Sequence, residues 1–252
     1  MHNNVMYKVE EARNFFEIKE FPSNFFNLIE DKGNYIEKYN LLIFKEDIGK
    51  LSGFIGYGDN ELTTICINYK RPIGHQNFTL AHEIGHWFLH RGQAISDTDA
   101  NMASMYAEEK EANEFASEIL YPAKCIDKDY DKIMSLGLLE DDKRKELAIE
   151  VDELCHKYCL SFDNVLRKML YRSNIGDRLK TVKKEIVKAL GCTLSNYFQK
   201  DYYVVNEELQ EYKEYQIPYD LLKKYVEQLK KDNKIGTATA EAILFRNGLL
   251  DK

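Results

Sequence analysis

The 252-residue sequence predicts an α+β protein: a mainly helical core with a small antiparallel β-sheet, followed by C-terminal helices. Three observations predict it. Short stretches rich in β-branched and aromatic residues are confined to residues 41–69. The stretch 78–90 is apolar on nearly every side, as a helix buried in a core would be. From residue 103 onward the apolar residues recur at helical rather than strand spacing.

Taken in order, "PSNFFNLIEDKGNYIEKY" (22–39) sets Phe25, Phe26, Leu28 and Ile29 among polar residues, which predicts one or two helices ending near Asn40. "LLIF" (41–44), "GFIGYG" (53–58) and "LTTICINY" (62–69) predict strands, with a hairpin turn at Gly58-Asp59-Asn60. "KRPIGHQN" (70–77) breaks the strands and "FTLAHEIGHWFLH" (78–90) forms the buried helix. A polar connection leads to a second helix around 103–120, which stops ahead of Pro122 because the residue before a proline is pushed out of the α region. Two more helices are expected within 140–172, the second opened by Ser161 as N-cap of "FDNVLRKMLYR". The tail from 176 is charged, Tyr-rich and mostly helical in pattern.

Charge divides the chain: residues 1–175 hold 21 Lys/Arg against 30 Asp/Glu, net −9, and residues 176–252 hold 14 against 12, net +2. We therefore expect a core over 1–125, a helical, helix-turn-helix-like extension over 126–175 and a C-terminal helical segment over 176–252. The overall charge of −7 argues against broad attraction to nucleic acid or acidic membranes, so any partner binds locally. No apolar run approaches the roughly 18 residues that span a bilayer. Five scattered cysteines, an odd number, and an N-terminus without a signal-like apolar stretch predict reduced thiols in the cytoplasm. No pattern in the chain specifies an oligomeric state.

The chemistry concentrates at "HEIGHWFLH" (82–90). On a helix, residues i and i+4 lie about 40° apart around the axis and roughly 6 Å apart along it, so His82 and His86 can aim imidazoles at one point. Glu83 is close enough to touch a water on a shared metal without completing the ligand set, the arrangement of H-E-x-x-H sites in which glutamate is the general base. The bland alternative is two satisfied core histidines, which would leave several buried polar groups in need of partners.

A catalytic zinc needs a third protein ligand. "YAEEKEANEFASEILYP" offers Glu108, Glu109, Glu111, Glu114 and Glu118. Glu109, Ala112, Asn113, Ala116 and Leu120 form a single stripe of small or apolar residues with one acid and one amide, which favours Glu109, with Asn113 hydrogen-bonding a ligand. Small alanines, and Gly85 opposite, would let the two helices approach closely. Glu111, on the face of Phe115 and Glu118, is the competing acid.

These two stretches, "NFTLAHEIGHWFLH" and "EKEANEFASEILYP", resemble the ImmA/IrrE family of small zinc metallopeptidases, whose signature runs FTLAHExGHxxLH and then E-x-E-A-N-x-F-A-x-x-L-L-x-P. The match is close over 68–122, looser before it and silent after 175. The resemblance implies a zincin-like core, His82, His86 and Glu109 as metal ligands and Glu83 as catalytic acid/base. It also implies a helix-turn-helix repressor, encoded nearby on a mobile element or in a stress-response operon, as the protein substrate.

In that reading Glu83 would take a proton from water attacking a peptide carbonyl and return it to the leaving amine. An oxyanion donor is also expected; His90, Tyr106 and Tyr121 are candidates, although His90 also suits a helix C-terminus and the tyrosines ordinary packing. Zinc is the expected metal, with manganese, cobalt or iron compatible with a His₂Glu set. Two other readings use the same chain: a non-catalytic metal-containing binding module of toxin–antitoxin type, and a zinc hydrolase of a small amide. Cys155 and Cys159, spaced i, i+4, are read as core positions because no matching pair lies elsewhere. The acids Glu150, Asp152, Glu153 and Asp163 turn the 144–172 helical pair away from DNA and toward packing or protein contact.

Overall fold

A computed structural model describes residues 2–18, 25, 41–46, 48–57, 63–91, 99–198 and, toward the C-terminus, 223–224, 226–227, 230–231, 236–246 and 248–250. The expected helices over 22–39 and the turn at 58–60 lie outside the described residues, Phe25 excepted. Within them the fold is α+β, mostly helical around one small sheet.

Helix α1 (His2–Phe15) was not foreseen. Its sequence is mostly polar, but Val5, Val9, Ala12 and the following Phe16 form a fully buried stripe at helical spacing, and this face packs on the two central helices. Strands β1 (Leu41–Glu46), β2 (Gly53–Tyr57) and β3 (Thr63–Asn68) form a three-stranded sheet in the order β1-β3-β2. The expected antiparallel pairing holds for β2 and β3, where Ile55 faces Ile65. β1 pairs with β3 in parallel, Ile43 facing Ile65, so the sheet is mixed rather than wholly antiparallel. The reason is burial: Ile65, Cys66 and Ile67 are all covered, so β3 is sandwiched on both faces and takes the centre.

Helix α2 (Ile73–His90) starts five residues earlier than the sequence suggested. Pro72 occupies the N-cap, and Gln76 ties the helix back to the end of β3 by donating to the carbonyl oxygens of Tyr69 and Arg71. Helix α3 (Asp99–Leu120) ends before Pro122 as expected and, among the described residues, makes the most extensive helix contact, with α2. Next comes an unforeseen helix, α4 (Ala123–Ser135), then α5 (Arg144–Tyr158) and α6 (Phe162–Arg172), with the Ser161 hydroxyl accepting from the Asn164 amide at 3.3 Å. Helices α7 (Leu179–Leu190), α8 (Leu194–Phe198) and α9 (Thr237–Arg246) follow.

One apolar core runs without interruption from Val5 through α2, α3, α5 and α6 to Leu194. Cys155 and Cys159 are buried within it, as read from the sequence. The α5–α6 turn is keyed to α2 at two points: Asn77 donates to the Cys159 carbonyl at 3.0 Å, and a Cβ at Gly74 would stand 2.6 Å from the Leu160 carbonyl carbon. No helix among the described residues is long and apolar enough to cross a membrane.

Candidate metal centre and cleft

The site is built on the α2–α3 contact. Gly85 of α2 sits against Ala112 of α3, where an added Cβ would lie 3.2 Å from the Ala112 Cα and carbonyl oxygen and 3.1 Å from the Phe115 ring. The missing side chain therefore sets how closely the helices approach. Glu109 lies one turn before Ala112, and His82 and His86 flank Gly85 on the facing helix.

The result is a compact cluster of His82, His86 and Glu109. The two imidazole Nε2 atoms are 3.1 Å apart, and each stands 3.2 Å from one oxygen of the Glu109 carboxylate. Ligands on a tetrahedral ion at bonds of about 2.0–2.1 Å would be roughly 3.3 Å from one another, close to the separation of the two imidazole nitrogens and of each from its own Glu109 oxygen, Oε2 for His82 and Oε1 for His86. Two imidazoles and a carboxylate are also a donor set suited to zinc and its neighbours. Burial lowers the pKa of both histidines, His86 to about 4, which keeps them neutral with a free lone pair as metal binding demands. Asn113 hydrogen-bonds His82.

Glu83, one residue on, is almost fully buried beside this cluster. Burial, and secondarily the Glu109 charge, raise its pKa to about 7, poising the carboxyl between its two protonation states near neutral pH. A cleft of about 580 Å³ opens over His82, Glu83, His86 and Glu109, with β2 as its opposite wall.

Of the three candidate oxyanion donors, His90 alone reaches the cleft, and it is buried there. Its Nδ1 lies 3.1 Å from His86 Nδ1 and its Nε2 3.0 Å from Glu111, so its ring is engaged between two neighbours. Tyr121 is fully buried elsewhere, donating to Asp129 at 2.9 Å and stacked on Tyr158, which donates to the same carboxylate. Tyr106 is largely exposed and does not line the cleft. A group the sequence did not single out, Tyr57 at the end of β2, does: its hydroxyl lies 3.5 Å from the His86 carbonyl, a weak contact that leaves it able to turn. Burial outweighs nearby Arg91 and raises its pKa to about 12, so the phenol keeps its proton. Only the strand register carries Tyr57 to the cleft, which no local pattern reveals.

Residues 36–138 match the family described as the IrrE N-terminal-like domain. Metallopeptidase ImmA of Bacillus subtilis (strain 168) is 30% identical over 87 residues, 34% of this chain and 51% of that protein. The chain thus spans about half the length of the curated relative it matches. The resemblance to the ImmA/IrrE family is borne out over this segment, which contains His82, Glu83, His86, Glu109 and Asn113.

Proposed function

We propose that this chain, with its IrrE N-terminal-like segment as catalytic core, is a zinc-dependent endopeptidase that cuts a specific protein substrate. One observation carries the reading: two imidazole nitrogens 3.1 Å apart, each 3.2 Å from its own oxygen of the Glu109 carboxylate, with the Glu83 carboxyl buried beside them in an open cleft. His82, His86 and Glu109 are the ligands, Glu83 is the general acid/base, and Asn113 orients His82. When bound, zinc would polarise the peptide carbonyl and acidify a water.

Glu83 accepts the proton of the attacking water at its carboxylate, which its raised pKa makes a competent base near neutral pH, and returns it to the departing amine. The Tyr57 phenol, protonated and on the opposite wall, is the donor we assign to the developing oxyanion. Residues 1–125 form the peptidase core, and 126–175 buttress it through the shared apolar core. The family resemblance points to a helix-turn-helix repressor encoded nearby as substrate, and the scattered cysteines, odd in number, to the cytoplasm as the place of action; manganese, cobalt or iron could replace zinc in this donor set.

The test begins with metal content. Protein purified without added metal should hold about one zinc per chain, lost in Glu109→Ala and retained in Glu83→Gln. With the neighbouring repressor as substrate, Glu83→Gln should then abolish cleavage. Cleavage that survives in Glu83→Gln would remove the mechanism.

A further inference from the structure

Glu111 and His90 have no part in the ligand cluster, yet both are held against it. At 100° per residue, Glu109 and Glu111 fall on opposite sides of the Ala112 line that faces α2. Glu109 meets His82 and His86; Glu111 meets His90, one turn further along α2. The side chains of His90 and Glu111 are 7% and 17% exposed, against 58% for Glu109, so the second acid is the shielded one.

The positions of the nitrogens fix the direction of every proton in this chain of contacts. His86 turns Nε2 toward His82 and Glu109, so to serve as a ligand there it must carry its proton on Nδ1. That Nδ1 is 3.1 Å from His90 Nδ1, which must therefore accept. A neutral His90 that accepts at Nδ1 carries its own proton on Nε2, and Nε2 lies 3.0 Å from a Glu111 oxygen, a charged acceptor. Each proton has one place, and the order Glu111, His90, His86 is consistent in a single sense.

We infer that His90 and Glu111 are positioning residues, a largely shielded carboxylate–imidazole relay that holds His86 in the tautomer and ring orientation that present Nε2 to a metal. The inference rests on the metallopeptidase reading. It replaces the choice between Glu109 and Glu111 with a division of labour: one acid completes the cluster and the other orients a member of it through a second ring. Outer partners of this kind typically change metal affinity by about 10–100-fold when removed. Low exposure strengthens the pair, because solvent does not compete for these hydrogen bonds.

The experiment uses the full chain, wild type against Glu111→Gln and His90→Phe. Zinc affinity is measured by competition with a chromophoric chelator, and imidazole tautomers by long-range ¹H–¹⁵N NMR of the zinc-bound protein at neutral pH. We expect zinc to bind about 10-fold more weakly in Glu111→Gln and up to about 100-fold more weakly in His90→Phe. We also expect Nδ1–H at His86 and Nε2–H at His90 in the wild type, with the His86 preference lost in His90→Phe. The cobalt-substituted variants should show shifted d–d bands, since the ligand field at the metal changes with the orientation of the His86 ring. Affinities within twofold of wild type, or a wild-type His86 protonated on Nε2, would overturn the relay. Wild type that takes up no zinc would sink the peptidase reading, and the relay would then stand on Nε2–H at His90 in the metal-free protein and fall on its absence.

Discussion

Gly85→Ala tests whether helix spacing sets the metal centre. The added methyl would meet the Ala112 Cα and carbonyl oxygen at 3.2 Å and the Phe115 ring at 3.1 Å, where carbon atoms prefer about 3.5–4.0 Å. Phe115 is fully buried and two of the three clashing atoms are backbone, so α3 must withdraw by a few tenths of an ångström. Alanine in place of an interior glycine would by itself favour the helix by about 1 kcal/mol, whereas overpacking costs typically about 1–3 kcal/mol. The net expectation is a loss of about 0–2 kcal/mol in stability. Metal binding should suffer more, because Glu109 rides on α3 and coordination distances tolerate only about ±0.2 Å. Urea unfolding of the metal-free protein gives the first quantity and chelator competition the second, for which we expect at least a tenfold loss. A variant stabilised by about 1 kcal/mol with unchanged zinc affinity would show that the Gly85–Ala112 contact does not set the geometry of the cluster.

Two further outcomes follow from the same structure. Tyr57→Phe should lower kcat about 100-fold while leaving metal content and KM near wild type, because the phenol meets only the oxyanion that develops in the transition state; equal kcat values would remove it from the mechanism. Lys168, half-buried and donating to Ser117, has its pKa lowered by desolvation from 10.5 to about 8, despite the opposing Glu118 charge. The charged ammonium is thus disfavoured in the folded state: the penalty is full below pH 8 and is relieved between pH 8 and 10.5, where the folded lysine is neutral and the unfolded one still protonated. Lys168→Met should therefore be more stable than wild type at pH 7, by at most about 3 kcal/mol since the Ser117 contact is lost, and the advantage should shrink as pH climbs through that window. Parallel stability profiles for the two proteins between pH 7 and 10.5 would contradict this.

What the sequence disclosed is what local periodicity can carry. His82 and His86 share a face by simple i, i+4 spacing, and the small-residue stripe of α3 pointed to Glu109 and Asn113 before any contact was known. Periodicity also contained α1, but Lys8, Glu10, Glu11 and Arg13 surround its apolar stripe and hide it from a compositional reading. Helix α4 was hidden differently. Its inward line runs through Ile126, Asp129 and Ile133, and an aspartate in mid-stripe reads as surface until Tyr121, Tyr158 and Lys157 are seen to satisfy it. The same network explains why Tyr121 is no cleft residue. The order of the strands, the reach of Tyr57 and the pairing of His90 with Glu111 depend on contacts between distant segments, and spacing within one segment says nothing about them.

Helix α2 shows how the long-range contacts serve the short-range motif. Near its N-terminus Asn77 accepts from the Phe25 amide at 2.8 Å and donates to Cys159 at 3.0 Å, holding chain segments 52 and 82 residues away. Along its outer side Trp87 and Phe88 pack edge-on against Phe15 of α1, and at its C-terminal end His90 meets Glu111 of α3. The helix is thus fixed at both ends and on its flank, so the two histidines between those anchors have little freedom to drift from a shared point. A ligand pair held this way loses little entropy when an ion binds, because the cost of ordering it is met during folding. Glu109 is different: it is more than half exposed and reaches the cluster from one helix only. Stability of the fold should therefore track the α2 anchors, and metal retention should depend first on Glu109 and on the separation of α2 and α3.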